Sequence, residues 1–102
     1  AAAGEHEEWV DDYPKFADIA AEEGFPAIAA MYRNIAIAEK GHEERYLDLL
    51  KNVEEGTVFK KDGKVFWQCR NCGYIIEAEE APKACPACLH PQSYFEVQKE
   101  NY

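Results

Sequence analysis

The chain has 102 residues, of which 47% are hydrophobic and 30% are charged, and its net charge is −9. This length suits one domain or two very small ones, and the composition is that of a globular protein. The acidic balance argues against nucleic acid or an anionic membrane surface as a partner. No apolar run approaches the roughly 20 residues of a membrane span, and the first residues do not have the pattern of an export signal, so we expect a cytoplasmic protein.

Charge and cysteine content divide the chain into two parts. Residues 1–55 contain 14 acidic and five basic side chains, whereas residues 56–102 contain six of each and all four cysteines. Two domains with these boundaries are therefore predicted. The predicted fold class is α plus a small amount of β, with two helices followed by a small cysteine-rich unit.

The first part is predicted to be a helical hairpin. Its first helix is expected to cover residues 1–23, with Gly24 just past the end in a left-handed conformation. Pro26 suits the first turn of a second helix, which is expected to run to about Asn52. Pro14 lies inside the first helix and should kink it or divide it into two pieces.

One face of the second helix carries a bundle-like seam with two ionisable residues. Its members recur in alternating steps of four and three, as on the core-facing side of a bundle helix. They are Ile28, Tyr32, Ile35, Glu39, His42, Tyr46 and Leu49. Glu39 and His42 form a Glu-x-x-His motif on this seam, so their charge is not simply that of a solvated face.

Carboxylates also lie on the apolar side of the first helix, at Glu5 and Glu8. An unpaired buried carboxylate takes up a proton, whereas several carboxylates and a histidine facing one another are stable around a cation. Di-metal helical bundles use one Glu from each of two helices and Glu-x-x-His from each of two others. Half of such a set is present in Glu5, Glu8, Glu39 and His42. A hydrogen-bonded core histidine is the alternative for His42, and His6 and Glu7 are expected to be ordinary surface residues.

Two helices cannot enclose a bundle core, because each leaves one side uncovered. The sequence begins with Ala-Ala-Ala-Gly, already helical in composition and without an initiator methionine. We therefore expect two further helices from a companion N-terminal segment or another chain. A homodimer of two such hairpins is the competing solution and would also double the ligands.

Two C-x-x-C pairs in the second part predict a four-thiolate metal site. Cys69 and Cys72 are separated by twelve residues from Cys85 and Cys88. Two knuckles of this kind close a tetrahedral sulfur site for iron or zinc. Disulfides are the alternative, which the paired spacing and the absence of an export signal disfavour.

Short hydrophobic stretches near these cysteines predict three small strands, at 65–68, 74–77 and 94–97. Asp62-Gly63 predicts a hairpin turn just before the first of them. The aromatic core of this unit is expected to consist of Trp67, Tyr74 and Phe95. About 45 residues cannot build an adequate core unaided, so a metal should supply much of the folding free energy.

With both parts considered, the chain resembles the rubrerythrins, a family of non-haem iron peroxidases. The resemblance spans the whole chain and depends on the order and spacing of its motifs. The segments that carry it are AAAGEHEEW, EEGFPAIAAMYRNIAIAEKGHEERY, CRNCGY and EAPKACPACLHPQSYFE. It implies half of a ferritin-like diiron four-helix bundle, followed by a rubredoxin-like domain.

The resemblance also implies a role for each site residue. Glu5 and His42 would be terminal ligands of one iron, and Glu39 would bridge the two irons. Glu8 would bind the second iron in the oxidised state and give way to a histidine on reduction. A single iron, for which zinc is a possible substitute, would be held by Cys69, Cys72, Cys85 and Cys88.

The implied function is the reduction of hydrogen peroxide to water in protection against oxidative stress. Electrons would come from a separate NAD(P)H-linked reductase through the thiolate-bound iron, and subunits would pair head to tail. Another Glu and a second Glu-x-x-His are needed for the diiron centre, so this chain alone is not expected to assemble it. The alternatives are an electron-transfer or structural module that binds zinc or iron without peroxidase activity and, ranked last, ferritin-like iron storage.

Overall fold

A computed structural model describes all 102 residues, which divide into two compact units, Ala1–Lys51 and Asn52–Tyr102. The helical elements are α1 (Ala2–Glu7), a π-helical turn (Glu8–Asp12), α2 (Tyr13–Glu22), α3 (Pro26–Glu55) and a short 3-10 turn (Gln92–Tyr94). The strands are β1 (Lys60–Cys69), β2 (Ile75–Glu80) and β3 (Phe95–Val97). The predicted fold class, a helical hairpin followed by a small β unit with four cysteines, is confirmed. None of the helices combines the length and the apolar character needed to cross a membrane.

The first predicted helix is divided by a change of hydrogen-bonding pattern just before Pro14. Between α1 and α2 the chain forms the π-helical turn, in which the Tyr13 N–H donates to the carbonyl of Glu8, five residues earlier. Pro14 has no N–H to donate to the carbonyl of Val10, which therefore loses its ordinary α-helical partner. The proline effect predicted from the sequence is thus present as a π turn between two α-helical pieces.

Left-handed glycines end both long helical segments. Gly24 has a φ of +86°, and the N–H of Phe25 donates to the carbonyl of Ala20 over 2.8 Å, as in a Schellman motif. Gly56, with a φ of +69°, ends α3 with the same pattern of backbone hydrogen bonds. The predicted end of the first helix at Gly24 is confirmed.

Small side chains form the contact between α2 and α3. Ala17 and Ala20 on α2 and Ala29 on α3 are buried, and Tyr32 packs against them. These alanines are the only buried residues of the helical unit. The large apolar side chains of α2 and α3 that remain exposed include Phe16, Ile19, Ile28, Met31, Tyr46 and Leu49. The hairpin therefore leaves most of its apolar surface, including much of the α3 seam, without cover.

The second unit, Asn52–Tyr102, contains an antiparallel three-stranded sheet with the order β2-β1-β3. Its buried core consists of Trp67, Cys69, Ala81, Cys85 and Phe95, with Tyr74 among the half-buried residues packed against it. The indole N–H of Trp67 donates to the carbonyl of Ala78 over 3.0 Å, so this buried polar group is satisfied. The sheet and its core place two of the four cysteines in the interior.

The hairpin turn predicted at Asp62-Gly63 is wrong. Strand β1 continues through both residues, and its register against β2 shifts between Lys60 and Val65. Lys60, before the Asp-Gly pair, is aligned with Glu80 of β2, and Val65, after it, is aligned with Ala78 of the same strand, so the two sides of the pair do not form a hairpin with each other. The Asp-Gly pair therefore lies at an irregularity within one strand, where glycine is often found.

Two glycine substitutions should have opposite effects on the stability of the helical unit. Gly24→Ala should lower the free energy of unfolding by about 1 kcal/mol, because alanine is strained at positive φ. Gly41→Ala should raise it by about 0.5–1 kcal/mol, because Gly41 lies within α3 and a Cβ there would have no atom within 4 Å. Urea denaturation followed by circular dichroism measures both, and a Gly24→Ala protein as stable as the parent would contradict the argument.

Candidate metal centres

Two knuckles with the same backbone hydrogen bonds bring the four cysteines together. The N–H of Gly73 donates to the carbonyl of Cys69, and the N–H of Leu89 donates to the carbonyl of Cys85, each over 2.9 Å. The donor residue has a positive φ in both knuckles, +86° at Gly73 and +65° at Leu89. The second knuckle thus repeats the first even though leucine is strained in this conformation.

The four sulfur atoms have the spacing of a tetrahedral metal site. The Sγ atoms of Cys69 and Cys88 are 3.7 Å apart, those of Cys72 and Cys85 are 3.6 Å apart, and all four lie within 4.8 Å of one another. A disulfide requires a sulfur–sulfur distance of about 2.05 Å, so these are free thiols. Metal–sulfur bonds of about 2.3 Å in a tetrahedron require sulfurs about 3.8 Å apart. The four cysteines therefore fit a single metal ion.

Backbone N–H groups and the neighbouring thiols control the acidity of the sulfur site. The N–H of His90 lowers the pKa of Cys88 to about 5 against the effect of burial, and the Asn71 side chain contributes to the lowering. The N–H of Tyr74 acts in the same direction on Cys72, but burial and the other three thiols outweigh it and raise the Cys72 pKa to about 12. The thiols therefore share protons that a bound metal would displace.

Three of the four residues predicted as diiron ligands lie together on α1 and α3. Donor atoms of Glu5, Glu39 and His42 all lie within 4.8 Å of one another. The Nδ1 atom of His42 is 2.8 Å from Oε2 of Glu39 and 3.6 Å from Oε2 of Glu5. The three-residue spacing places Glu39 and His42 on the same face of α3. Glu8, in the π turn, lies outside this cluster of three.

The cluster contains a buried carboxylate oxygen without a hydrogen-bond partner. Oε2 of Glu5 is buried and accepts no hydrogen bond. Pairing with the Glu39 carboxyl raises the pKa of Glu5 most strongly, burial raises it further, and His42 opposes both effects. Pairing with Glu39 likewise raises the pKa of His42 above its ordinary value, against the effect of burial. A cation would satisfy the unpartnered oxygen and offset the repulsion between the carboxylates, so the donor set fits a metal ion.

A tyrosine borders the carboxylates on the side of α2. The ring of Tyr13 stacks on that of Tyr32 with centroids 5.9 Å apart. Burial raises the pKa of Tyr13, and the negative charges of Glu8 and Glu39 raise it further. Its hydroxyl group therefore keeps its proton and remains a hydrogen-bond donor at neutral pH.

Contacts of Glu43 next to this cluster are not apparent from the sequence. His6, predicted to be an ordinary surface residue, is exposed, but its Nδ1 lies 3.0 Å from Oε1 of Glu43. The indole N–H of Trp9 donates to the same carboxylate and lowers the pKa of Glu43. These partners are 34 and 37 residues from Glu43 in the chain, so no local pattern indicates the pairing.

Comparison with known proteins places both units in one family. The rubrerythrin family model matches residues 1–64, and the model for the rubrerythrin rubredoxin-like domain matches residues 67–96. The chain is 61% identical over 102 residues to a rubrerythrin of Porphyromonas gingivalis and 62% identical to one of Clostridium perfringens. These alignments cover all of this chain and 51% and 52% of the two relatives.

Among solved structures, too, this chain aligns with about half of a longer protein. Nigerythrin in a partially reduced state aligns with 95% of this chain and 45% of its own, at 33% identity and a TM-score of 0.50. The chain spans about half the length of the curated relatives it matches. With two family models that together match most of its residues, the chain belongs to the rubrerythrin family.

Proposed function

We propose that this chain supplies part of a diiron centre and a complete Fe(Cys)4 centre to a peroxidase that reduces hydrogen peroxide to water. In this proposal residues 1–55 are half of a diiron bundle and residues 56–102 are a rubredoxin-like iron domain. The observation that carries the proposal is the unpartnered buried oxygen of Glu5 beside Glu39 and His42. Membership of the rubrerythrin family supports it.

Each ligand of the proposed diiron centre has a distinct task. Glu5 and His42 would bind one iron, and Glu39, which lies near both, would bridge to the second. Glu8 would bind the second iron only in the oxidised state, in keeping with its place outside the cluster of three. When bound, the iron pair would supply the two electrons that, with two protons, reduce hydrogen peroxide to two water molecules. Because pairing with Glu39 raises the pKa of Glu5, metal binding at this carboxyl would compete with its protonation.

The sulfur site is suited to passing one electron at a time to the diiron centre. Its two knuckles hold all four sulfurs at distances that fit a tetrahedral ion, so little rearrangement is needed when the charge of the ion changes. Backbone N–H groups near Cys72 and Cys88 stabilise thiolate charge and help to set the reduction potential. We propose iron as the resident metal and an NAD(P)H-linked reductase as the electron source.

Further helices are needed to complete the diiron ligand set and to cover the hairpin. Large apolar residues of α2 and α3 are exposed, among them Phe16, Ile28 and Met31. Burial of apolar surface is favourable by about 25 cal/mol per Å². This free energy would drive the packing of further helices against the pair. We propose that two helices with another Glu and a second Glu-x-x-His pack here, and that the complete subunits associate head to tail.

Loss of Glu39 should abolish peroxide reduction. In the complete iron-loaded protein, Glu39→Ala removes the proposed bridging ligand and should lower kcat more than about 100-fold. Loss of a residue that only orients a metal ligand lowers activity by roughly 10- to 100-fold, and loss of a ligand itself should cost more. Peroxide consumption with a competent reductase is the measurement, and Glu44→Ala, at an exposed position of the same helix, is the matched control. Turnover that survives Glu39→Ala would refute the proposed site. One metal per chain, held by the cysteines, with no peroxide consumption would instead support an electron-transfer or structural module.

Glu8→Ala tests whether Glu8 binds iron only in the oxidised state or in both redox states. Because Glu8 lies outside the cluster of three, this variant should keep its iron while the cycle between the oxidised and reduced states slows about tenfold or more. Iron content and stopped-flow absorbance after addition of peroxide measure the two effects. Loss of iron from the variant would make Glu8 a permanent ligand.

Removal of the metal from the sulfur site should unfold residues 52–102. Trp67 is fully buried against Cys69 and Cys85, so its fluorescence should shift to longer wavelength when acid and a chelator extract the metal. The binding energy of such sites is of the order of 10 kcal/mol, more than a core of this size supplies alone. A Trp9→Phe background leaves Trp67 as the single tryptophan. An unshifted emission in the metal-free protein would show that the sheet folds without metal.

A further inference from the structure

A second polar cluster accompanies the carboxylate site, offset from it by one residue at each position. Each residue of the proposed diiron set is followed in the chain by one member of this cluster. The pairs are Glu5 and His6, Glu8 and Trp9, Glu39 and Lys40, and His42 and Glu43. One residue corresponds to a rotation of about 100° around a helix, so the second cluster occupies the neighbouring strip of each helix. We call His6, Trp9, Lys40 and Glu43 the clamp cluster.

Glu43 is the centre of the clamp cluster. Nδ1 of His6 lies 3.0 Å from Oε1 and 3.1 Å from Oε2 of Glu43, and the indole N–H of Trp9 donates to Oε2. The Glu43 side chain is only 17% exposed, so water competes little for these contacts. Hydrogen bonds to a carboxylate are stronger than those between neutral groups. One α3 side chain thus joins α1, through His6, and the π turn, through Trp9.

Trp9 adds a second connection between the π turn and α3. Its ring meets that of His6 edge-on with centroids 5.5 Å apart, and Nζ of Lys40 lies 5.4 Å from the centre of the indole ring. The cation and the carboxylate that contact Trp9 both belong to α3. The indole is therefore held on its face by Lys40 and at its N–H by Glu43.

No buried apolar contact joins α1 or the π turn to α3 near the ligands. The buried contact of the hairpin consists of Ala17, Ala20 and Ala29, close to the turn at Gly24. Neither α1 nor the π turn contains a buried residue. The clamp cluster thus joins α1 and the π turn to α3 beside the ligands, in addition to the stack of Tyr13 on Tyr32.

We propose that Glu43 is a positioning residue, which ties α1 and the π turn to α3 and thereby holds Glu5 against Glu39 and His42. The effect on metal binding rests on the proposed diiron function, because Glu43 can affect the metal only if Glu5, Glu39 and His42 are its ligands. Glu43 itself has no contact with Glu5, Glu39 or His42 among the hydrogen bonds and ion pairs of the chain. Its effect must therefore be exerted through the helices.

The first test measures Fe²⁺ affinity at the carboxylate site of the complete protein. Glu43→Ala should weaken binding about 10- to 100-fold, the range for loss of a group that orients metal ligands. Glu43→Gln should restore affinity to near the parent value, because its amide oxygen still accepts the Trp9 N–H. Glu44→Ala, at an exposed neighbouring position, should have no effect. The absorption of the thiolate-bound iron should stay unchanged in all variants and reports intact folding of the other unit.

The second test uses protein that keeps its thiolate-bound iron but has no metal at the carboxylate site, and it separates this proposal from the diiron function. Glu43→Ala should accelerate hydrogen exchange of the Trp9 indole N–H and of the backbone amides of residues 5–9 about tenfold and shift the His42 ring signals. Glu39→Ala should abolish iron binding at the carboxylate site without accelerating that exchange. Parent-like exchange in Glu43→Ala would overturn the clamp, whatever the iron results. A parent protein that binds no iron outside the cysteines would overturn the diiron function, and the exchange data would still decide the role of Glu43.

Discussion

Charge repulsion between neighbouring carboxylates is the constraint on which the helical unit depends. Glu5 and Glu39 share a half-buried site with His42, and one oxygen of Glu5 has no hydrogen-bond partner. In the absence of a cation, pairing with the Glu39 carboxyl, burial and the Glu39 charge all favour the protonated form, and the pKa of Glu5 is raised. An arrangement that is costly as a protein interior is favourable as a ligand set, because a metal ion both neutralises the charges and satisfies the free oxygen.

The two candidate centres differ in how their geometry is produced. The sulfur site is closed by two short knuckles within residues 69–88, and backbone hydrogen bonds inside each knuckle set the positions of the cysteines. The carboxylate site joins helices whose ligands are more than 30 residues apart in the chain. Its geometry depends on how α1 and α3 are held together, and alanine packing near Gly24 is distant along both helices. Polar contacts such as those of Glu43 therefore contribute to the interhelical connection near the ligands.

The π turn connects a backbone feature to the chemistry of the site. It begins at Glu8, the proposed redox-dependent ligand, and it precedes Pro14, which cannot complete the α-helical hydrogen-bond pattern. A π turn adds a residue to the helical repeat and so rotates the side chains that follow it. This rotation lets α2 present Ala17 to α3 while α1 presents Glu5 to the same helix.

Local rules made several features predictable from the sequence alone. The end of the first helix at Gly24, the common face of Glu39 and His42 and the paired knuckles depend on contacts within about five residues, which the sequence specifies directly. The tertiary structure decided what depends on distant partners. Asp62-Gly63 lies at an irregularity within a strand because β2, rather than the preceding segment, pairs with β1. The pairing of Glu43 with residues of the first helical segment arises only when α1 and α3 meet, since side chains 34 to 37 residues apart leave no periodic signal in the sequence.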